Sequence, residues 1–326
     1  MNELNTHRLE VWREKVRTNL LNTDFSEAPD YLADPMRYAL QGEGKMLRPA
    51  LCLASVDAVG GAWEEAVPTA AILEIFHTFT LIHDDIMDGD EMRRGQATVH
   101  KQFDTDRALL AGDTLLLQVY QLLGNCDPKV FPDVYRVFTR GAMEVCYGQG
   151  WDMQFEQSNS VAPDEYVMMI DLKTGALIKL ACEMGGILGH GSEEQIQALS
   201  RFGLLLGRAF QMQDDLLEVS SSADQMGKSL GSDVLNEKKT WIWLDLKGHL
   251  NESELHHWEQ IKNSGELSPE SRDIVHQWMI THGTIQRAEA LVAQWIEEAD
   301  EILSNSTFSD TTMLTALADL ILKRKN

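Results

Sequence analysis

Apolar residues recur along this chain at the 3.6-residue period of amphipathic helices, and no stretch shows the sustained two-residue alternation of a strand. Leu9, Trp12, Val16 and Leu20 form the stripe of a first helix. An acidic connection near Pro29 leads to a short helix from Pro35 into Gln41, which the turn GEGK interrupts. Arg48 and Pro49 open the next helix and Gly60 and Gly61 close it. Proline is tolerated there because its missing N–H has no intrahelical partner in a first turn. Longer helices follow over 64–88 and 105–123, the second stopping at Gly124 and Asn125.

The pattern continues with helices over 130–156, 163–189 and 192–219, a Gly- and Ser-rich loop over 220–233, and helices over 239–247, 270–281, 284–303 and 311–323. Lys173, Thr174 and Gly175 mark a kink, since a glycine inside a helix costs up to about 1 kcal/mol and requires a reason. No linker divides the chain, so the pattern predicts one all-α domain over 1–326.

Two of these helices carry chemistry. LIHDDIMDGDEMRRGQATVH, residues 81–100, sets Asp84, Asp85 and Asp88 at i, i+1 and i+4, and QMQDDLLEV repeats the spacing with Asp214, Asp215 and Glu218. At about 100° per residue, each trio falls within one quadrant of its helix. Like charges so placed repel by a few tenths of a kcal/mol per pair, which a divalent cation would relieve, and hard oxygen donors point to magnesium. In a chain with 51 acidic residues, one such match reads equally well as a solvated face. Two matches, flanked by Leu81, Ile82, Ile86 and Met87 and by Phe210, Met212, Leu216 and Leu217, read as the rim of a pocket.

A formal charge of −23 excludes nucleic acid and anionic membrane surfaces as general partners. An anionic substrate must therefore meet a local basic cluster, for which the candidates are Lys45, Arg48, Arg93, Arg94, Lys173, Lys228 and Lys238. Facing acidic clusters with bases nearby would hold a metal-bridged polyphosphate, whose charge on leaving must be absorbed. Cys52, Cys126, Cys146 and Cys182 lack CxxC spacing and read as reduced core residues. The N-terminal stripe is neither a signal nor a transit peptide, and no apolar run reaches the ~18 residues needed to span a bilayer. A cytoplasmic protein without membrane insertion is expected.

GKMLRP, HTFTLIHDDIMD followed by RRG, KTGAL, FQMQDD, GKSLGSD and the lysine before Thr240 run in order over residues 44–240. This ordered set closely resembles that of the trans-polyprenyl synthases, such as farnesyl and geranylgeranyl diphosphate synthases. The resemblance implies an all-α bundle around a deep central cavity, the isoprenoid synthase fold, acting as a homodimer. It implies a prenyltransferase that condenses isopentenyl diphosphate with an allylic diphosphate, and three magnesium ions per site. By the same resemblance Asp84, Asp88 and Asp214 bind metal, with Asp85, Asp215 and Glu218 as direct or indirect helpers. Lys45, Arg48, His77 and Arg94 would hold isopentenyl diphosphate, and Arg93, Lys173, Thr174, Gln211, Lys228 and Lys238 the allylic partner. Physically, His77 lies two turns before Asp84 on nearly the same face, and a kink at Lys173–Gly175 would turn backbone carbonyls toward an allylic cation.

Bulky residues before the first acidic cluster stop the growing tail in that family. Here Phe79 and the small Thr80 occupy those positions, which suggests a C15 to C20 product, with C20 preferred. Ideal geometry puts Thr80 and Leu81 more directly beneath Asp84 than Phe79, so Phe79 must act from the side or against a partner subunit. His83 and His100 read as packing or hydrogen-bonding residues. Glu218 stands where many relatives carry Asp, and Lys239 is an alternative to Lys238. Lys323, Arg324 and Lys325 resemble a basic tail that closes over the cavity in some relatives, though a frayed end is the simpler reading. A terpene cyclase would not need Lys45, Arg48 and Arg94, and a non-catalytic subunit would not need both acidic clusters.

Overall fold

The computed structural model describes residues 2–42, 44–158, 160–220, 239–264 and 268–322. In order these form α1 (Glu3–Leu21), α2 (Asp30–Gln41), α3 (Leu47–Ala58), α4 (Trp63–Asp88), a hairpin of β1 (Met92–Arg93) and β2 (Gln96–Ala97), α5 (Val99–Gln102), α6 (Thr105–Leu123), α7 (Phe131–Glu156) and α8 (Pro163–Ile170). A π-helical turn, Asp171–Gly175, leads into α9 (Ala176–Leu188) and α10 (Glu193–Ser220). The described chain ends with α11 (Trp241–His249), α12 (Glu252–Asn263), α13 (Pro269–Thr281), α14 (Thr284–Asn305) and α15 (Thr312–Leu322). The protein is all-α. Two compact units group these elements: Met1–Arg140, Leu180–Ser200 and Ser306–Leu320 in the first, and Gly141–Lys179, Arg201–Asn305 and Ile321–Asn326 in the second.

In the first unit α4 is the central element and packs against α1, α3 and α6. Ile72, Leu73, Ile75 and Phe76 are at most 1% exposed, each burial contributing about 1.5–3 kcal/mol. By length and composition α4 could cross a bilayer, against the expectation from the sequence. Yet 67% of its most apolar window is buried inside the protein, where it forms core. Gly89 stops the helix in the left-handed region at φ 70°, and the Asp90 N–H bonds back to the Asp85 carbonyl at 3.0 Å. Small residues bring α9 onto α3: a Cβ on Gly185 would lie 2.2 Å from the Cys52 carbonyl oxygen.

The second unit has its own core. The rings of Trp243 and Trp258 lie 4.5 Å apart. Arg287 bonds Asp245 Oδ1 at 3.1 Å and Oδ2 at 2.5 Å, and the Thr284 hydroxyl donates to the same carboxylate at 2.8 Å, so this buried charge has its partners.

Several details depart from the pattern. The segment 163–189 is two helices joined by the π turn, at the residues where the kink was expected. The hairpin and α5 are too short for a periodic stripe, α12 is an additional helix with Trp258 and Ile261 buried, and α2 begins at Asp30 with Pro35 inside it. All four cysteines are free thiols, but Cys146 is exposed and is not a core residue. It lies on a side of α7 that also exposes Met143 and Tyr147, so its apolar neighbours in sequence do not cover it.

Candidate active site

In the first unit the acidic motif occupies the last turns of α4. Asp85 is only 4% exposed, whereas Asp84 is half-buried and Asp88 exposed. The Arg93 side chain, on β1, donates from Nε to Asp85 Oδ1 in a short charge-assisted bond. Its Nη2 lies 3.3 Å from Asp90 and 3.9 Å from Asp84. Burial raises the Asp85 carboxyl, and the bond to Arg93 opposes the rise.

The hairpin that presents Arg93 turns through Arg94 and Gly95, at φ 52° and 77°. Two successive positive φ values make the tight two-residue turn that suits the twist of paired strands. For Arg94 this conformation costs about 1–2 kcal/mol. The Thr98 hydroxyl donates to the Asp90 carbonyl at 2.7 Å and the Tyr38 hydroxyl to the Ala97 carbonyl at 2.7 Å, tying the hairpin down. Asp85, Arg93, Arg94, Tyr38 and Thr78 help line a cavity of about 160 Å³.

Gly44, at the start of GKMLRP, lets Glu74 and Arg94 come close. A Cβ there would meet Arg94 Nη1 and Glu74 Oε1, each at 2.8 Å. Glu74 is a buried carboxyl raised by desolvation and lowered by the charges of Arg48 and Arg94. Burial, then Arg48, Arg94 and Arg93, holds His77 well below its ordinary value near 6.5, so its imidazole is neutral. Lys45 is exposed, and its carbonyl accepts from Arg13 at 3.1 Å. Arg48, Arg94, Glu74 and His77 thus form one electrostatic cluster, while sequence alone singled out all but Glu74.

Phe79 is buried, its ring 5.5 Å from Phe76 and 4.9 Å from His83. His83 in turn fits over Gly112 of α6, where a Cβ would meet its Nε2 at 2.3 Å, and it lies 3.3 Å from the Leu109 carbonyl. This is the packing role expected of His83. The Thr80 hydroxyl donates to the His77 carbonyl at 2.8 Å.

In the second unit, two glycines shape the π turn. A Cβ on Gly148 of α7 would lie 2.1 Å from the Lys173 nitrogen, and one on Gly207 of α10 would lie 2.5 Å from the Gly175 Cα. Helix backbones therefore touch the turn directly. Its first residue, Asp171, accepts two bonds from Arg208, both 2.6 Å. Lys173 Nζ reaches Asp152 of α7 at 2.5 Å. The Thr174 hydroxyl donates to Gln211 Oε1 at 2.8 Å, and Gln211 Nε2 donates to Asp215 Oδ1 at 3.1 Å. The Tyr166 hydroxyl donates to Asp215 Oδ2 at 2.6 Å. Burial, then Asp215, Asp152 and Glu218, pushes the Tyr166 phenol well above 10, so it remains a donor. Asp215 is 5% exposed, while Asp214 and Glu218, one turn apart, are half-buried.

Lys173, Thr174, Gln211, Asp214, Asp215 and Glu218 all belong to this unit, whereas Lys228, Lys238 and the basic residues 323–325 lie outside the described residues. Asp152 and Tyr166 escaped sequence reading. Asp152 follows Gly148 by one helical turn, a signal that gains meaning only once Gly148 is seen against the π turn. Among the described residues no three His, Cys, Asp or Glu side chains close a preformed metal cage. Magnesium does not require one, being held by one or two carboxylates with water and phosphate oxygens. Accessible carboxylates such as Asp84, Asp88 and Asp214 fit that demand.

A polyprenyl synthetase family model matches residues 29–277. The chain is 34% identical over 321 residues to the short chain isoprenyl diphosphate synthase of Methanothermobacter thermautotrophicus, covering 97% of this chain and 96% of that protein. It is 32% identical over 309 residues to the geranylfarnesyl diphosphate synthase of Aeropyrum pernix, covering 92% and 96%. The crystal structure of geranylgeranyl pyrophosphate synthetase from Pyrococcus horikoshii superposes with a TM-score of 0.91 at 31% identity, over 99% of each chain. The chain belongs to the polyprenyl synthetase family.

Proposed function

We propose that this polyprenyl synthetase joins isopentenyl diphosphate to an allylic diphosphate, head to tail and in trans, releasing diphosphate and a short-chain polyprenyl diphosphate. The observation that carries the reading is the family match together with two helices, α4 and α10, that each bear an acidic motif beside donors for a diphosphate. The whole chain, 1–326, acts as one catalytic domain in this reading.

Bound magnesium, three ions per site, would neutralise diphosphate charge as a Lewis acid, held by Asp84, Asp88 and Asp214 with Asp85, Asp215 and Glu218 behind them. Lys173, Arg93, Lys228 and Lys238 grip the allylic diphosphate and take up the charge that builds as its carbon–oxygen bond breaks. Thr174, Gln211 and the carbonyls of the π turn offer oriented dipoles to the allylic cation. Lys45, Arg48 and Arg94 grip isopentenyl diphosphate, while the neutral imidazole of His77 can donate a hydrogen bond without adding charge. Holding both substrates turns carbon–carbon bond formation into an effectively intramolecular step. The proton then lost goes to the departing diphosphate, so no protein base is assigned.

Phe79 and Thr80 set a C15 to C20 product, C20 preferred. We assign a cytoplasmic homodimer. The exposed apolar residues Leu110 and Leu117 of α6, and Met143, Tyr147 and Trp151 of α7, support self-association. The test is an incubation of purified protein with magnesium, isopentenyl diphosphate and dimethylallyl, geranyl or farnesyl diphosphate, with sizing of the products. Linear polyprenyl diphosphates are expected. Diphosphate release without isopentenyl diphosphate, accompanied by cyclic hydrocarbons, would instead indicate a cyclase.

A further inference from the structure

We propose that Asp152 is the positioning residue for Lys173, fixing the ammonium that receives the allylic diphosphate; this rests on the substrate assignment above. A lysine carries four rotatable side-chain bonds, and ordering it for a ligand costs on the order of tenfold to thirtyfold in affinity. In this protein that ordering is built into the fold. Gly148 brings α7 into backbone contact with the π turn, where a Cβ would sit 2.1 Å from the Lys173 nitrogen. Asp152 stands one turn further along the same helix and meets Lys173 Nζ at 2.5 Å. Both side chains are sheltered, at 29% exposure for Lys173 and 21% for Asp152, so water screens the pair less than at an open surface.

Asp215 of the α10 motif accepts from Tyr166 and Gln211, and Asp152 engages the Lys173 ammonium. An ammonium has three donors and can exchange partners as a phosphoryl oxygen arrives, so being held by Asp152 is compatible with meeting the substrate. Asp152 therefore acts through Lys173 and needs no contact with substrate.

The test uses the full-length enzyme and calorimetric binding of farnesyl thiodiphosphate, a non-ionising allylic analogue, in magnesium, alongside steady-state kinetics. Asp152→Asn should weaken analogue binding and raise the allylic KM by about tenfold, leaving the KM for isopentenyl diphosphate within about twofold. Asp152→Glu should recover most of the loss. In a Lys173→Gln background, adding Asp152→Asn should change binding by less than about twofold, since the partner is already gone. Equal losses in both backgrounds, or a raised magnesium requirement with unchanged allylic binding, would overturn the inference and mark Asp152 as a structural or metal-binding carboxylate. Should Asp152→Asn not fold, Asp152→Ser, which also removes the carboxylate, decides by the same comparison with Lys173→Gln. Wild-type protein that fails to bind the analogue overturns the substrate assignment and this inference with it. Wild type that binds, with uncoupled variants, overturns only the role of Asp152.

Discussion

The acidic motifs on α4 and α10 have the same spacing but are held differently. In each, the second aspartate is buried, Asp85 at 4% and Asp215 at 5% exposure. In each, the first, Asp84 or Asp214, is more open. Asp85 is held by a cation, Arg93. Asp215 accepts from two neutral donors, Tyr166 and Gln211, and Lys173 of that unit is held by a separate carboxylate, Asp152. Opposite charge and neutral hydrogen-bond donors both serve to satisfy buried carboxylates here.

If the open aspartates carry the metal, Asp84→Ala and Asp214→Ala should each lower kcat by about 10²–10³. Steady-state assays in excess magnesium check this, and an unaltered rate in either variant would break the symmetry between the motifs. The buried aspartates should respond through stability. Arg93→Gln strips a counter-charge from Asp85 and should cost about 2 kcal/mol, whereas Tyr166→Phe removes one neutral donor from Asp215 and should cost about 1 kcal/mol. Urea unfolding measures both, and a reversed order would show that charge is not what distinguishes them.

His77 sharpens the electrostatic side of the comparison. Its folded value lies well below 6.5, so below that pH the unfolded chain binds a proton that the folded protein refuses. Stability is then lost as pH falls from about 6.5 toward the folded value, by at most about 1.4 kcal/mol per pH unit. His77→Gln should lose less stability than wild type between pH 7.5 and 5.5, and parallel unfolding curves would contradict this. The smallest expected effect on rate is that of Phe79→Ala, which should lengthen the product by one or more five-carbon units. An unchanged product would leave Phe79 as packing between Phe76 and His83.

Much of this was legible in one dimension. α4 and α10 follow from long apolar periodicity, and the break at Lys173–Gly175 follows from a glycine in a helical run. Its form, a π turn pressed by Gly148 and Gly207, was not legible, because those glycines lie 25 and 32 residues away in sequence from the positions they contact, Lys173 and Gly175. The hairpin bearing Arg93 and Arg94 was missed because two-residue strands have no period to detect. Cys146 departs from the core position its context suggests because an apolar sequence context does not say which face of a helix is covered.

By itself, the sequence determined the long amphipathic helices, which of them carry paired carboxylates, and which family the ordered motifs resemble. The first two are properties of local spacing, set by the pitch of the helix. Only the tertiary structure decided which carboxylate is buried, that Arg93 serves Asp85, that Glu74 lies between Arg48 and Arg94, and that Asp152 and Tyr166 hold Lys173 and Asp215. Desolvation and hydrogen bonding depend on what packs opposite a side chain, and helical periodicity carries no record of that neighbour.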